Sequence, residues 1–146
     1  MLPMCCHAAF FTEKIQKYTF PVWEGENFTP EAVVWNQMAL DGYKLRWFNQ
    51  VIYLCEYQED GLTRSSWKLL KNNPMGYAML FNTQLKSSKE IKERINITLQ
   101  FISSCCLAKE YNYIKRCHSK TLLFLLFPLG WFLSLRRQNQ FKKYCP

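Results

Sequence analysis

The chain has 146 residues, with 19 Lys and Arg against 11 Asp and Glu, giving a formal charge of +8. Apolar residues make up 49% and charged residues 21%, the mixture of a globular domain rather than of a disordered chain. No Gly-X-Y period, heptad run or internal repeat is present, which excludes collagen-like, coiled-coil and solenoid readings, and the length leaves no room for a multidomain enzyme.

At the N-terminus MLPMCCHAAFF has no basic stretch, and its short apolar run is interrupted by His7, so no signal peptide is expected. The Asn96-Ile97-Thr98 sequon is then expected to carry no glycan. Lys17 to Trp23 is rich in aromatic and β-branched residues and reads as a strand, with Pro21 placing it at an edge. Thr29-Pro30-Glu31 marks a helix start: Thr29 can cap, Pro30 suits the first turn and Glu31 favours the positive end of the dipole. This helix is predicted to reach Asp41, with Gly42 as a left-handed cap and with Trp35, Met38 and Ala39 on one face.

Beyond Gly42 the pattern changes. Tyr43 to Phe48 and Val51 to Tyr57 read as strands, Glu59-Asp60-Gly61 as a hairpin turn, and Thr63 to Leu70 as the return strand. Asn72 to Gly76 would end the sheet, and Tyr77 to Phe81 would add one further short strand. Ser87-Ser88-Lys89-Glu90 matches a capping box. Ile91, Ile95, Leu99, Ile102 and Cys106 then recur at helical spacing. The predicted fold is therefore α+β: a small antiparallel sheet packed by two helices over residues 1–108, followed by a short C-terminal apolar helical segment. Trp35, Met38, Tyr43, Trp47 and Trp67 are assigned to the core.

The charge is not evenly spread. Residues 1–108 carry 11 basic and 10 acidic side chains, whereas residues 109–146 carry 8 basic side chains and the single acid Glu110. A near-neutral body thus bears a basic tail, which points to an anionic membrane surface or to nucleic acid. The tail divides into a basic connector at 109–120, an apolar segment at 121–135 and a basic end at 136–146. Thr121 to Leu135 contains no charge, and as a helix it would measure about 22 Å, short of the ~30 Å hydrocarbon core of a bilayer. Pro128 and Gly130 at its centre favour a bend or break, hence a shallow hairpin or re-entrant dip that enters and leaves by the same face. Leu122, Leu123, Phe124, Leu125, Leu126, Phe127, Trp131 and Phe132, with the flanking Arg136 and Arg137, would carry the anchoring. The competing reading is a buried C-terminal core helix. Apolar residues cover every face of the segment, so it would be hard to hide in so small a body.

Seven cysteines are present: Cys5, Cys6, Cys55, Cys105, Cys106, Cys117 and Cys145. Their number is odd, so a disulfide framework is not expected. The adjacent pairs do not have zinc-knuckle spacing; a site of Cys5, Cys6 and His7 with Cys117 or His118 is the one metal arrangement left, and no metal is expected. Cys105, Cys106 and Cys117 lie near the apolar segment and are candidates for S-acylation.

Catalytic constellations do not appear. Neither His7 nor His118 lies beside a nucleophile and an orienting acid, and no Gly-rich phosphate loop or dinucleotide fingerprint is present, so neither catalysis nor a cofactor is expected. Glu56, Glu59 and Asp60 are read as a solvated turn. Tyr43, Lys44, Arg46, Trp47 and Phe48 interleave aromatic and basic residues in a way that can stack bases, but a sheet with one apolar and one wet face is the preferred account. The apolar stretch between the basic clusters favours membrane over nucleic acid.

Lys14 to Leu70, through Glu31, Trp35, Asn36, Met38, Ala39, Gly42, Tyr43 and Leu45, resembles a bacterial family of uncharacterised proteins, domain-of-unknown-function family twenty-eight twelve. The resemblance implies an aromatic strand, a helix and a strand pair, often with C-terminal membrane segments, and it supplies no catalytic residues. The expectation is a small cytoplasmic binding or regulatory module, membrane-tethered through its tail to an anionic lipid face, with an unidentified protein partner or a second copy. The alternative is a soluble protein-interaction module whose apolar helix is buried.

Overall fold

The computed structural model describes residues 10–44, 46 and 66–144. Among these the only regular elements are helices: α1 (Thr12–Ile15), α2 (Ala32–Leu40), α3 (Ser66–Asn72), α4 (Pro74–Ser87), α5 (Ile91–Ala108), α6 (Tyr111–Ile114) and α7 (Lys120–Tyr144). The expected α+β class is therefore wrong for this part of the chain, which is all-helical. Val51 to Tyr57, Glu59-Asp60-Gly61 and half of Tyr43 to Phe48 (Leu45, Trp47 and Phe48) lie outside the described residues.

The missing strands have local causes. Lys17 to Trp23 is irregular: the Pro21 carbonyl accepts the Thr29 hydroxyl at 2.8 Å, and the Trp23 ring stacks edge-on against Tyr113 at 5.5 Å. Thr29 is thus spent on Pro21 and does not cap α2. Tyr77 to Phe81 is the middle of α4. Pro74 is the first residue of that helix and Asn73 precedes it, so the Asn-Pro pair read as a sheet end is a helix start. Of Thr63 to Leu70, residues 66–70 are helical, as part of α3, and residues 63–65 lie outside the described residues.

The N-terminus of α4 is stitched to the preceding loop. The Glu26 carboxylate accepts the Met75 N–H at 2.6 Å and the Gly76 N–H at 2.8 Å, satisfying two donors that a helix start leaves open. Burial pushes the Glu26 carboxyl above its ordinary range, and the two backbone bonds pull it back in part. Asn73 Oδ1 accepts the Asn27 and Phe28 N–H groups at 2.9 and 3.0 Å, and Asn73 Nδ2 donates to the Leu69 carbonyl.

Helix α2 ends as its sequence implies. Gly42 adopts φ 89°, its N–H reaches the Ala39 carbonyl, and the Tyr43 N–H reaches Met38, the paired bonds of a left-handed C-terminal cap. The buried side chains of α2 are Val33, Val34 and Met38. Met38 was expected in the core, but Trp35 is half-buried, Ala39 exposed and Tyr43 at the margin. Trp67 is also 38% exposed, and Trp47 lies outside the described residues.

The core is built around α5, which packs against both α4 and α7. Phe101 to Cys106 are buried on all sides. With Met75, Ala78, Leu85, Ile97, Ile114 and Cys117, the apolar members of this run form one cluster. The expected stripe on α5 is rotated: Ile102 and Cys106 are buried, Ile95 and Leu99 half-buried, and Ile91 is 60% exposed. Ser87 belongs to the end of α4 and bonds the Gln84 carbonyl, so the predicted capping box does not form, and the Ser88 hydroxyl donates to Glu93 instead. Lys109, in the left-handed conformation at φ 60°, ends α5.

Candidate functional site

Helix α7 runs unbroken from Lys120 to Tyr144 through Pro128 and Gly130. The expected break, and with it the hairpin or re-entrant dip, does not occur. The short apolar segment and most of the basic end are one helix of 25 residues, about 37 Å long. No described helix is long and apolar enough to cross a membrane.

The inner face of α7 follows a three-and-four spacing through Leu123, Leu126, Gly130, Ser134, Arg137 and Phe141. Leu123 and Leu126 pack on the core cluster, and Phe141 meets Trp67 edge-on at 6.1 Å. Between these apolar ends the contact with α5 is made by small and polar residues. Gly130 is buried against Ile102, and a Cβ there would lie 2.6 Å from both Cβ and Cγ2 of that isoleucine. Ser134 is 2% exposed and returns its hydroxyl to the Trp131 carbonyl. Arg137 donates to Ser103 Oγ at 3.1 Å and to Gln100 Oε1. Desolvation pulls the Arg137 pKa below the ordinary arginine value. Arg137, expected at the lipid surface, is therefore a buried helix–helix contact, while Arg136 is exposed.

The outer face of the same helix is the reverse. Phe124 is 84% exposed, Leu125 and Phe132 64%, Leu129 58%, Trp131 48% and Phe127 37%. Pro128 lies on this face as well. At 100° per residue these side chains cover the whole side of the helix opposite Gly130. Leu122 is half-buried at the flank. Of the ten anchoring residues expected, Phe124, Leu125, Phe127, Trp131, Phe132 and Arg136 therefore face outward, whereas Leu123, Leu126 and Arg137 face α5. The inverted order, small and polar inside with large and apolar outside, is what single-sequence reasoning missed. The pairing of Gly130 with Ser134 four residues on, a small-residue spacing suited to close helix contact, was the available signal.

Basic side chains stand at both ends of the apolar face. Lys115, Arg116 and Lys120 are exposed before it, as is His118, and Arg136, Lys142 and Lys143 are exposed after it. The N-terminal group is ordered by local contacts: the Lys120 ammonium donates to the Lys115 carbonyl, and the Arg116 guanidinium lies 5.5 Å over the Tyr113 ring. Asn82 fixes the connector, donating to the Arg116 carbonyl and accepting the His118 N–H.

The three candidate acylation sites are buried: Cys105 at 0%, Cys106 at 5% and Cys117 at 2% exposure. Burial pushes all three thiols above their ordinary pKa, so neither access nor thiolate character favours acyl transfer in the closed fold. No group of three or more metal-binding side chains occurs among the described residues, and Cys5, Cys6 and His7 lie outside them. Tyr43, Lys44 and Arg46 of the base-stacking candidate are placed in a loop; Trp47, Phe48, Glu56, Glu59 and Asp60 lie outside the described residues.

No protein-family model, curated protein or solved structure matches the chain.

Proposed function

We propose that this chain is a membrane-surface module that attaches through the outer face of α7, and that it acts by binding rather than by catalysis. The observation that carries the reading is the inverted helix: α7 turns Gly130, Ser134 and Arg137 inward and Phe124, Leu125, Leu129, Trp131 and Phe132 outward. A helix facing only water gains nothing from that arrangement, whereas one facing acyl chains does.

The depth of insertion is argued from backbone chemistry. Pro128 has no N–H to give the Phe124 carbonyl, and both residues lie on the exposed side. An unpaired carbonyl costs several kcal/mol in hydrocarbon, of the order of the ~2–7 kcal/mol for burying an amide group, but little where water reaches it. The helix therefore lies in the interfacial plane, with its apolar side chains reaching down and its axis at headgroup level. Complete transfer of a large apolar side chain from water is worth ~1.5–3 kcal/mol, so six partly exposed ones supply on the order of 5–10 kcal/mol. That compares with a single myristoyl chain, which gives binding constants near ~10⁴ M⁻¹.

The reading is tested by co-sedimentation of the full chain with phospholipid vesicles, beside a Leu125→Glu/Phe132→Glu variant. Both positions are more than half exposed, so the fold should survive. Wild type is expected in the vesicle pellet and the variant in the supernatant with an unchanged circular dichroism spectrum. Equal pelleting of the two, or no pelleting of wild type, would refute the reading.

A further inference from the structure

We infer that the membrane surface read by α7 is recognised through the density of its anionic headgroups, gripped at two separated points, and not through one specific headgroup. The inference rests on the membrane reading above and adds its lipid class. Lys115, Arg116 and Lys120 form the first cationic point, and Arg136 and Lys142 the second. From Lys120 to Arg136 the axis advances about 24 Å, and to Lys142 about 33 Å. That is far wider than one lipid headgroup, so no single lipid reaches both points.

Three further observations support the assignment. Lys142 follows Phe124 by about five whole helical turns, so it projects from the same side as the apolar face. The first point is held in place before any lipid arrives: the Lys120 ammonium is bonded to the Lys115 carbonyl, and Arg116 is stacked on Tyr113. Glu110 is the only acidic residue from position 109 onward, so the segment that carries both points holds charge of nearly one sign. Basic residues at an anionic leaflet act roughly additively and are screened by salt. Two spread points therefore predict a response to total surface charge, whereas a headgroup-specific site needs its donors converging on one place.

The experiment uses the full chain and vesicles of phosphatidylcholine alone, of phosphatidylcholine with phosphatidylserine, and of phosphatidylcholine with a phosphoinositide at matched total charge. Two paired variants are compared, Lys115→Gln/Lys120→Gln and Arg136→Gln/Lys142→Gln, all at exposed positions. Wild type is expected to bind both charged compositions equally and neutral vesicles much more weakly. Each pair of neutralisations is expected to lower partitioning about thirtyfold, and the four together by about the product. Undiminished binding to neutral vesicles would overturn the lipid-class inference and leave the membrane reading standing. A preference for the phosphoinositide at matched charge, or loss confined to one pair, would overturn the two-point grip. Binding to no vesicle at all would overturn both. Retention of double-stranded DNA in place of vesicles, abolished by the same neutralisations, would assign the cationic points to nucleic acid and overturn the proposal.

Discussion

Replacing Gly130 with alanine tests the packing on which the exposed face of α7 depends. A Cβ at this position would sit 2.6 Å from Ile102 Cβ and Cγ2, and 3.2 Å from its Cδ1. Carbon atoms rest at ~3.5–4.0 Å, so the two helices would have to separate by roughly 1 Å. Ile102 cannot swing aside, because the nearest atoms are the branch point itself, and a β-branched side chain has one strongly preferred rotamer in a helix. Overpacking of this kind costs about 1–3 kcal/mol. Against it, alanine is favoured over glycine inside a helix by about 1 kcal/mol. The net expectation is a loss of about 1 kcal/mol for Gly130→Ala, and a larger loss for Gly130→Leu. Urea unfolding followed by circular dichroism measures both. If Gly130→Ala instead raised the unfolding midpoint by the full propensity gain, α7 would not rest on α5 at this point, and the division of α7 into an inner and an outer face would fail.

Ser104 is buried, and its hydroxyl finds no hydrogen-bond partner among the described residues; Ser104→Ala should therefore stabilise the protein by about 1 kcal/mol in the same urea assay, and a loss of that size would mean that the hydroxyl is satisfied. The Tyr18 phenol donates to Asp41 at 2.5 Å, and this bond pushes its pKa up to about 12. Because the folded-state value is raised, the stabilising contribution is complete below the ordinary value near ~10 and is lost as the pH rises to about 12. In Asp41→Asn the phenol should return towards its ordinary value by NMR titration, and an unchanged titration would refute the bond. Cys105, Cys106 and Cys117 should react with maleimide only after denaturation, since all three are buried with raised thiol pKa values; rapid labelling of any of these three in the native chain, mapped by mass spectrometry, would contradict the packing around α5.

Parts of this architecture were legible in the residues. The start at Pro30-Glu31 and the stop at Gly42 bracket α2 because proline at a helix start and a left-handed glycine at its end act locally. Helix α5 was visible through its spacing, but its rotation was not, because burial on several sides erases the contrast between faces. The strands were misread where aromatic and β-branched content outweighed helix signals. Ahead of Tyr77 to Phe81, the Asn73-Pro74 pair fits a sheet end as well as a helix start, and the aromatic residues after it favour the wrong choice. The tail posed a choice between a membrane anchor and a buried helix, and the structure shows one buried face and one exposed face. Leu123, Leu126, Gly130 and Phe141 turn towards the body, while Phe124, Leu125 and Phe132 turn away. Composition could not reveal this, since apolar residues occur on both sides, and the informative residues were the small ones. For the same reason α7 is not an appendage: deleting it would uncover Ile102 and the α5 surface beside it.

The most direct test of the membrane account is fluorescence quenching of the full chain by vesicles with brominated acyl chains. Trp131 is 48% exposed on the outer face of α7, and the four other tryptophans lie elsewhere in the sequence. The account predicts strong quenching of wild type on vesicle binding, and loss of most of that quenching in Trp131→Phe with binding retained. Quenching unchanged by the substitution, or absent from wild type, would place the outer face of α7 away from lipid and contradict it.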